Sequence, residues 1–324
     1  MSSLKIYSDT PFGESALNLL KSGIGAHELV FPEVMAESVL GQSVAGPAIR
    51  DVDLIFGQPD VPAVLEASKL QWMHVSTAGY TRYDNAEFRQ EMKERGVVVT
   101  NSSSVYADAC VEHFLAFLFA QSRQLLPNLA SSCANGSEEW FGLRESAVPL
   151  AGQKMLILGY GTIARRMIEY LTPLKMEISA LRRSPRGDEP VPIVTPDAMD
   201  EALSGADHVV NILPDNDDSH HFVNEDLLAK MKAGSVFYNI GRGRTVHQEA
   251  LAAALNSGHL AAAWLDVTDP EPLPKDHVLR QASNCHISPH TAGGHRAESE
   301  TLVRHFLANL ERYQQNRPLL DQII

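Results

Sequence analysis

Cysteine is scarce: Cys110, Cys133 and Cys285 are the only three in 324 residues, they lie far apart, and no two form a Cys-x-x-Cys pair. An odd, dispersed count argues against a disulfide framework or a cysteine metal site, and it fits a reducing compartment. Long hydrophobic runs are missing too. The longest, Phe114–Ala120, falls far short of the roughly 20 residues a bilayer span needs, so it is expected to be buried helix in a soluble protein. The N-terminal MSSLKIYSDTPF has no apolar core behind basic residues, so it is expected to be a first strand and not a secretory signal. Basic residues are outnumbered, 27 Lys and Arg against 40 Asp and Glu, giving a formal net charge of −13. This balance speaks against nucleic acid or an anionic membrane as a bulk partner. It also makes an Arg beside a glycine turn informative, because an anionic ligand then needs a local basic pocket. What remains is a cytoplasmic globular protein whose length and 44% hydrophobic content suffice for two domains, each with its own core.

Short apolar runs alternate with helix-like segments from the start: LKIYS, Glu14–Leu20, HELVF, VDLIFG, Val61–Ala67 and QWMHVS. This alternation predicts βαβ units and a parallel sheet covered by helices. The loop Ser76-Thr77-Ala78-Gly79-Tyr80 then lies beyond a strand's carboxyl end, where open α/β sheets bind ligands; it reads equally as a plain connection. After the strand Val97–Thr100, the polar run Asn101–Ser104 is a candidate hinge, and Asp108–Gln124 is expected to be a long helix, apolar on most faces and buried. Pro127–Pro149 reads as irregular, either an arm that docks on a second subunit or a loop folded on its own domain. Alternation resumes through DHVVNILP, a helix at Asn224–Met231, SVFYNIGRG, a helix at Gln248–Ser257 capped by Gly258, AAAWLDV and CHISPHTAGG, and it ends in an amphipathic helix at Ala297–Gln315.

The most informative stretch is Lys154–Arg183, a strand, glycine turn, helix and second strand in sequence. Gly159 and Gly161 are the first two glycines of a G-x-G-x-x-G/A fingerprint, with Ala164 third: one makes the tight turn, the next lets backbone approach a pyrophosphate, whose charge rests on the helix N-terminus. Thr162 and Ile163, which open that helix, belong to the same cofactor site. About 20 residues past the glycines, where an Asp or Glu ordinarily accepts the adenine ribose 2′-hydroxyl, stand Arg182, Arg183 and Ser184. Guanidinium groups pair with a 2′-phosphate that a carboxylate would repel, so the sequence leans to NADP; if both Arg are surface charges, the cofactor is NAD.

Three predicted strands in the second half end in polar residues at one crevice: Asn239-Ile240-Gly241-Arg242-Gly243, then Leu265-Asp266-Val267 with Glu271 beyond, then Ser288-Pro289-His290. Singly, each fits a bland role: a solvated turn Arg, an exposed loop Glu, one of 13 His residues. Together they supply a proton donor, its partner and an anion clamp beside a nucleotide fold. Arg242 can hold a carboxylate bidentately and polarise the neighbouring carbonyl; His290, charged through a pairing with Glu271, can protonate a developing alkoxide, with hydride from a nicotinamide and domain closure excluding water.

With LAGQKMLILGYGTIA, NIGRG, LDVTDPEPLP and SPHTAGG in this order and spacing, the chain resembles the D-isomer-specific 2-hydroxyacid dehydrogenases over nearly its whole length. The resemblance implies catalytic roles for Arg242, Glu271 and His290, and gives Asp266 as an acidic residue near the site that binds the cofactor. It places Pro214 and Ile240 beside the nicotinamide and gives Ala78 and Gly79 as amides that bind the substrate carboxylate. It implies two Rossmann-like parallel-sheet domains: a flavodoxin-like substrate domain, 1–103 plus 297–324, interrupted by a dinucleotide-binding domain, 104–296. It also implies a homodimer joined through the cofactor domains, which favours Pro127–Pro149 as an interface arm with Trp140 reaching toward the partner. Thr77, Thr81, Lys175 and Arg182 depart from the family pattern, the first two bearing on substrate size together with Tyr80 and Tyr106. The expected activity is reduction by NADPH of a small 2-keto acid of the glyoxylate or hydroxypyruvate kind to the D-2-hydroxy acid, with no metal. The alternatives are an NAD-dependent dehydrogenase of a bulkier or phosphorylated acid and a non-catalytic dinucleotide-sensing regulator. No long allosteric domain is expected after the last helix.

Overall fold

A computed structural model describes residues 3–35, 46–282 and 284–324. The chain divides into two compact units, Met1–Tyr106 with Gly294–Ile324, and Ala107–Gly293. Among the described residues no helix is long and apolar enough to cross a membrane, and no group of three or more His, Cys, Asp or Glu could hold a metal ion.

The first unit is built on β1 (Lys5–Ser8), β2 (Glu28–Val30), β3 (Leu54–Phe56), β4 (Trp72–His74) and β5 (Val98–Thr100), all parallel and ordered β2-β1-β3-β4-β5. The inner strands β1, β3 and β4 are short runs with side chains buried on both faces, as a helix-covered parallel sheet requires, whereas the edge strand β2 has no buried residue. Helices α1 (Glu14–Gly23), α2 (Val61–Glu66) and α3 (Ala86–Glu94) connect them. Asp60 and Asn85 cap α2 and α3 by accepting the Ala63 and Phe88 N–H groups. The end of the chain closes the β5 edge: the Ile323 N–H donates to Val99 O at 2.8 Å and the Asn101 N–H to Asp321 O at 3.0 Å.

The polar run Asn101–Ser104, just before the boundary between the units, is hydrogen-bonded within the first unit. Asn101 Nδ2 donates to Ala78 O, Ser102 Oγ to Val75 O, and Ser104 Oγ to Asp321, because each polar group of a chain leaving a buried strand must find a partner. Helix α4 (Ser103–Ser122) begins at once, five residues earlier than the sequence suggests. It is not buried on most faces. Ala107, Cys110, Val111, Phe114, Leu118 and Ser122 are buried at helical spacing, whereas Ala116 and Phe119 are exposed. The segment after it is also not irregular: it forms α5 (Leu125–Ala130) and α6 (Glu138–Glu145), the latter capped by Ser137, with Leu129 and Phe141 left exposed.

The second unit carries a seven-stranded parallel sheet: β6 (Lys154–Leu158), β7 (Glu177–Leu181), β8 (Ile193–Val194), β9 (His208–Asn211), β10 (Val236–Asn239), β11 (Ala262–Leu265) and β12 (Cys285–Ile287), ordered β12-β11-β10-β9-β6-β7-β8. The chain enters at β6, runs outward to β8, then returns to β9 on the other side of β6 and continues to β12. This reversal makes the carboxyl ends of β6 and β9 a topological switch point, the place where doubly wound sheets bind ligands. Helices α7 (Thr162–Leu171), α8 (Met199–Gly205), α9 (Glu225–Lys230), α10 (Gln248–Asn256) and α11 (Val278–Gln281) lie between the strands. A core of Leu, Val, Ala and Phe side chains, among them Leu156, Val209, Phe237 and Leu251, is sealed between sheet and helices. After this unit the chain forms the last helix, α12 (Glu298–Gln314), in the first unit, where Phe306 stacks on Phe56 at 4.3 Å and on Trp72 at 5.2 Å.

Candidate active site

Gly159 follows β6 with φ +114, a backbone conformation an L side chain rarely adopts. This turn sets the N-terminus of α7 at the switch point, and no side chain caps it. A Cβ on Gly161 would meet nothing within 4 Å, so there is open space beside the residue that starts the helix, with Thr162 and Ile163 half-buried next to it. Ala164, third in the fingerprint, is fully buried where helix packs on sheet. An uncapped helix start with room above it suits a pyrophosphate. At the end of β7, Arg182 lies with its Cζ 5.3 Å over the ring of Tyr160 and donates from Nη1 to Glu189 at 2.8 Å. Arg183 pairs with Asp218 at 2.7 Å and is largely exposed, as is Ser184. Pro214 follows β9, its carbonyl accepting Ser219 Oγ at 2.6 Å, and Ile240 follows β10, buried. These residues line successive strand ends on both sides of the switch point and fit a dinucleotide.

The turn after β10 is locked by polar groups. Asn239 Oδ1 accepts the Gly241 N–H at 3.0 Å while its Nδ2 and Thr245 Oγ1 both donate to Arg242 O. Asn211, on the neighbouring strand, donates to Asn239 Oδ1 and Thr245 Oγ1. A Cβ on Gly243 would fall on the carbonyl group of Thr268, so only glycine lets this turn lie against the loop after β11. Burial pulls the Arg242 guanidinium below its ordinary pKa against the opposing pull of Glu271 and then Asp215. A guanidinium stays charged under that pressure, so Arg242 offers an anion clamp in a poorly solvated place.

The loop after β11 holds Glu271 between two donors. Its Oε1 accepts the Thr268 N–H at 3.0 Å, and its Oε2 faces His290 Nδ1 at 2.7 Å. Burial alone would raise the Glu271 carboxyl pKa. The bonds from His290 and Thr268, with the charges of His290 and Arg242, outweigh it and hold the group below its usual range. With Nδ1 committed to Glu271, Nε2 of His290 is the nitrogen available to carry a proton elsewhere. Arg242, Glu271 and His290, far apart in sequence, thus meet within one unit, at the ends of β10, β11 and β12.

Asp266 is placed differently from the rest. Its buried carboxylate accepts Ser288 Oγ at 2.5 Å and the Thr291 N–H at 2.9 Å on Oδ1, and the Ala292 N–H at 2.8 Å on Oδ2. Its backbone carbonyl accepts the His290 N–H at 2.8 Å. Asp266 therefore ties together the turn 288–292, in which His290 sits at φ +53. His113, on α4, reaches the same cluster, 3.1 Å from Ser288 Oγ. Nothing in the sequence pattern singles out His113, and Ser288 is marked there only as the residue that opens the Ser288-Pro289-His290 stretch. They are found by the buried carboxylate they surround. Ala78 and Gly79 belong to the first unit, in the loop after β4, where Thr77 Oγ1 donates to Gly79 O at 2.6 Å and Tyr106 Oη donates to Ser76 O at 3.0 Å.

The family model for the NAD binding domain of the D-isomer specific 2-hydroxyacid dehydrogenases matches residues 115–292, and the chain belongs to that family of NAD(P)-dependent oxidoreductases. Its curated relatives include the glyoxylate/hydroxypyruvate reductase B of Erwinia tasmaniensis, 28% identical over 283 residues that make up 84% of this chain and 79% of that protein. The glyoxylate reductase/hydroxypyruvate reductase of Mus musculus is 34% identical over 209 residues, 62% of each chain. Among solved structures, the apo form of Rhodotorula graminis D-mandelate dehydrogenase aligns with a TM-score of 0.79 at 21% identity, over 100% of this chain and 98% of that one. The doubly wound architecture read from the sequence is therefore that of the family.

Proposed function

We propose that the protein reduces a small 2-keto acid of the glyoxylate or hydroxypyruvate kind to the D-2-hydroxy acid, with NADPH preferred over NADH. The 2.7 Å Glu271–His290 pair carries this reading, because a charge-compensated imidazole is what carbonyl reduction needs and a cofactor-binding scaffold alone does not. Arg242 holds the substrate carboxylate and polarises the adjacent carbonyl. His290 gives a proton from Nε2 to the carbonyl oxygen, and Glu271 stabilises the imidazolium before the transfer and orients the ring throughout. The bound cofactor supplies the hydride, with its pyrophosphate at Gly159, Gly161 and the start of α7 and its adenosine end at Arg182 and Arg183. The substrate class is supported by the relatives named as glyoxylate and hydroxypyruvate reductases, and the cofactor preference by two arginines where a carboxylate would select NAD. The exposed Leu125, Leu126, Leu129 and Phe141 of α5 and α6 support a homodimer in which this arm is covered.

The test is oxidation of NADPH and NADH by the purified protein with glyoxylate, hydroxypyruvate and pyruvate. NADPH oxidation with the first two is expected, and no oxidation with any of the three overturns the reading. His290→Ala should lower kcat by about 10²-fold or more while cofactor affinity stays near the parent's; equal turnover by parent and variant refutes the proton-transfer role. Arg182→Asp should move the preference toward NADH.

A further inference from the structure

β7 delivers Arg182 into the loop 183–190, which folds back on it. Glu189 Oε1 accepts Arg182 Nη1 at 2.8 Å and the Arg186 N–H at 2.8 Å, and Oε2 accepts the Gly187 N–H at 2.8 Å. Residues 183 to 188 are all exposed, yet the Glu189 side chain is only 3% exposed. The carboxylate is thus enclosed by its donors while the loop around it faces solvent. Its backbone bonds, that from Arg186 foremost, hold the carboxyl below its usual pKa range. The site adjoins the glycine turn through the contact of Arg182 with Tyr160, the residue between Gly159 and Gly161.

A guanidinium and two consecutive amide N–H groups converging on one point form a general anion cradle, which takes a phosphate as readily as a carboxylate. Here the chain fills it with its own side chain. We propose that Glu189 is an internal competitor for the cofactor's 2′-phosphate. Closed on Arg182, it neutralises the cation that would select NADPH, and a 2′-phosphate gains the cradle only by displacing it. A cofactor with a free 2′-hydroxyl makes no such demand. Glu189 therefore limits how strongly the paired arginines discriminate, a discrimination that their presence alone would overstate. This inference rests on the reading of Arg182 and Arg183 as the 2′-phosphate site.

Two fragments that differ only in that phosphate, adenosine 2′,5′-bisphosphate and 5′-AMP, isolate the effect when titrated calorimetrically into the full-length protein. Glu189→Ala is expected to tighten the bisphosphate by about tenfold or more, the scale of one charge-assisted interaction, with 5′-AMP bound as by the parent. Glu189→Gln, which keeps the shape and an acceptor but loses the charge, is expected to fall between the two. Unaltered 5′-AMP binding also reports that the variant site is folded. A bisphosphate-to-AMP affinity ratio unchanged in Glu189→Ala overturns the proposal. Weakened 5′-AMP binding also overturns it, since the carboxylate would then be a ligand of the ribose. A parent indifferent to the 2′-phosphate with a Glu189→Ala variant that prefers it upholds the competitor and refutes the NADPH preference. A parent that prefers the bisphosphate with an unchanged variant refutes the competitor alone, and indifference in both refutes both.

Discussion

Asp266→Asn tests what holds His290 in place. In the parent, three donors converge on the two carboxylate oxygens: Ser288 Oγ and the Thr291 N–H on one, the Ala292 N–H on the other. An asparagine replaces one of those oxygens by NH2. Whichever way the amide is turned, an N–H then faces an N–H, and the side chain is too buried for water to mediate. Losing one charge-assisted bond and leaving a buried donor unmatched costs about 3 kcal/mol. In a domain of this size each kcal/mol lowers Tm by about 2–4 °C, so calorimetry should show a fall of about 6–12 °C. Turnover should fall further than stability explains, because a displacement of about 1 Å in the turn that carries His290 is worth about 10²-fold in rate. Cofactor affinity should change little if Asp266 acts through the 288–292 turn. If Asp266 acts instead as a cofactor ligand, cofactor affinity should fall sharply. An Asp266→Asn variant with parental Tm and parental kcat would refute the assignment of these bonds as the support of His290.

The Glu271 carboxyl is held below the ordinary 4.5 of a glutamate, so its contribution to stability is fully present above that value and is lost as pH falls through the lowered one. The acid limb of a kcat/KM profile should accordingly lie below pH 4.5, and Glu271→Gln should remove it while lowering kcat. Gly243→Ala drives a methyl into the backbone of Thr268, so stability should fall by about 1–3 kcal/mol and activity with it, through the displaced loop that carries Glu271; denaturant unfolding checks the first. Lys175, exposed at φ +58 before β7, occupies a left-handed position that favours glycine. Lys175→Gly should raise stability by up to about 1 kcal/mol, measured by denaturant unfolding, with activity unchanged.

What could be read from the sequence follows from how locally each feature is determined. β1, β3, β6, β9 and β10 are apolar runs that end in a polar or glycine residue, and their burial on both faces writes itself into the sequence as unbroken hydrophobicity. Arg242, Glu271 and His290 stand just past such runs, so their convergence could be expected once the strands were parallel. β8 is only Ile193–Val194 in a Pro-rich stretch, and α3 and α8 are short helices without a broad apolar face, so periodicity has little to show there. In the arm, α6 buries no residue, which leaves no apolar stripe. Its start is marked all the same by Ser137 ahead of Glu138 and Glu139, an N-cap followed by an acidic first turn. Other features are set by tertiary structure alone. Ser288 and His113 matter because Asp266 is buried between them, and Glu189 matters because a loop of exposed residues turns back on Arg182.

The insertion of one unit within the other has a consequence for synthesis. Phe56 and Trp72 emerge early, but Phe306, which stacks on both, follows Trp72 only after about 230 further residues, the inserted unit among them, about 12–50 s later at typical elongation rates of about 5–20 residues per second. Ile323, which covers the edge of β5, arrives later still. The inserted unit has every strand of its sheet in one continuous segment and can fold as soon as it leaves the ribosome. The nascent chain thus carries a finished nucleotide fold beside a half-built sheet with an aromatic face and an open strand edge, and that interval is when this protein is most exposed to aggregation.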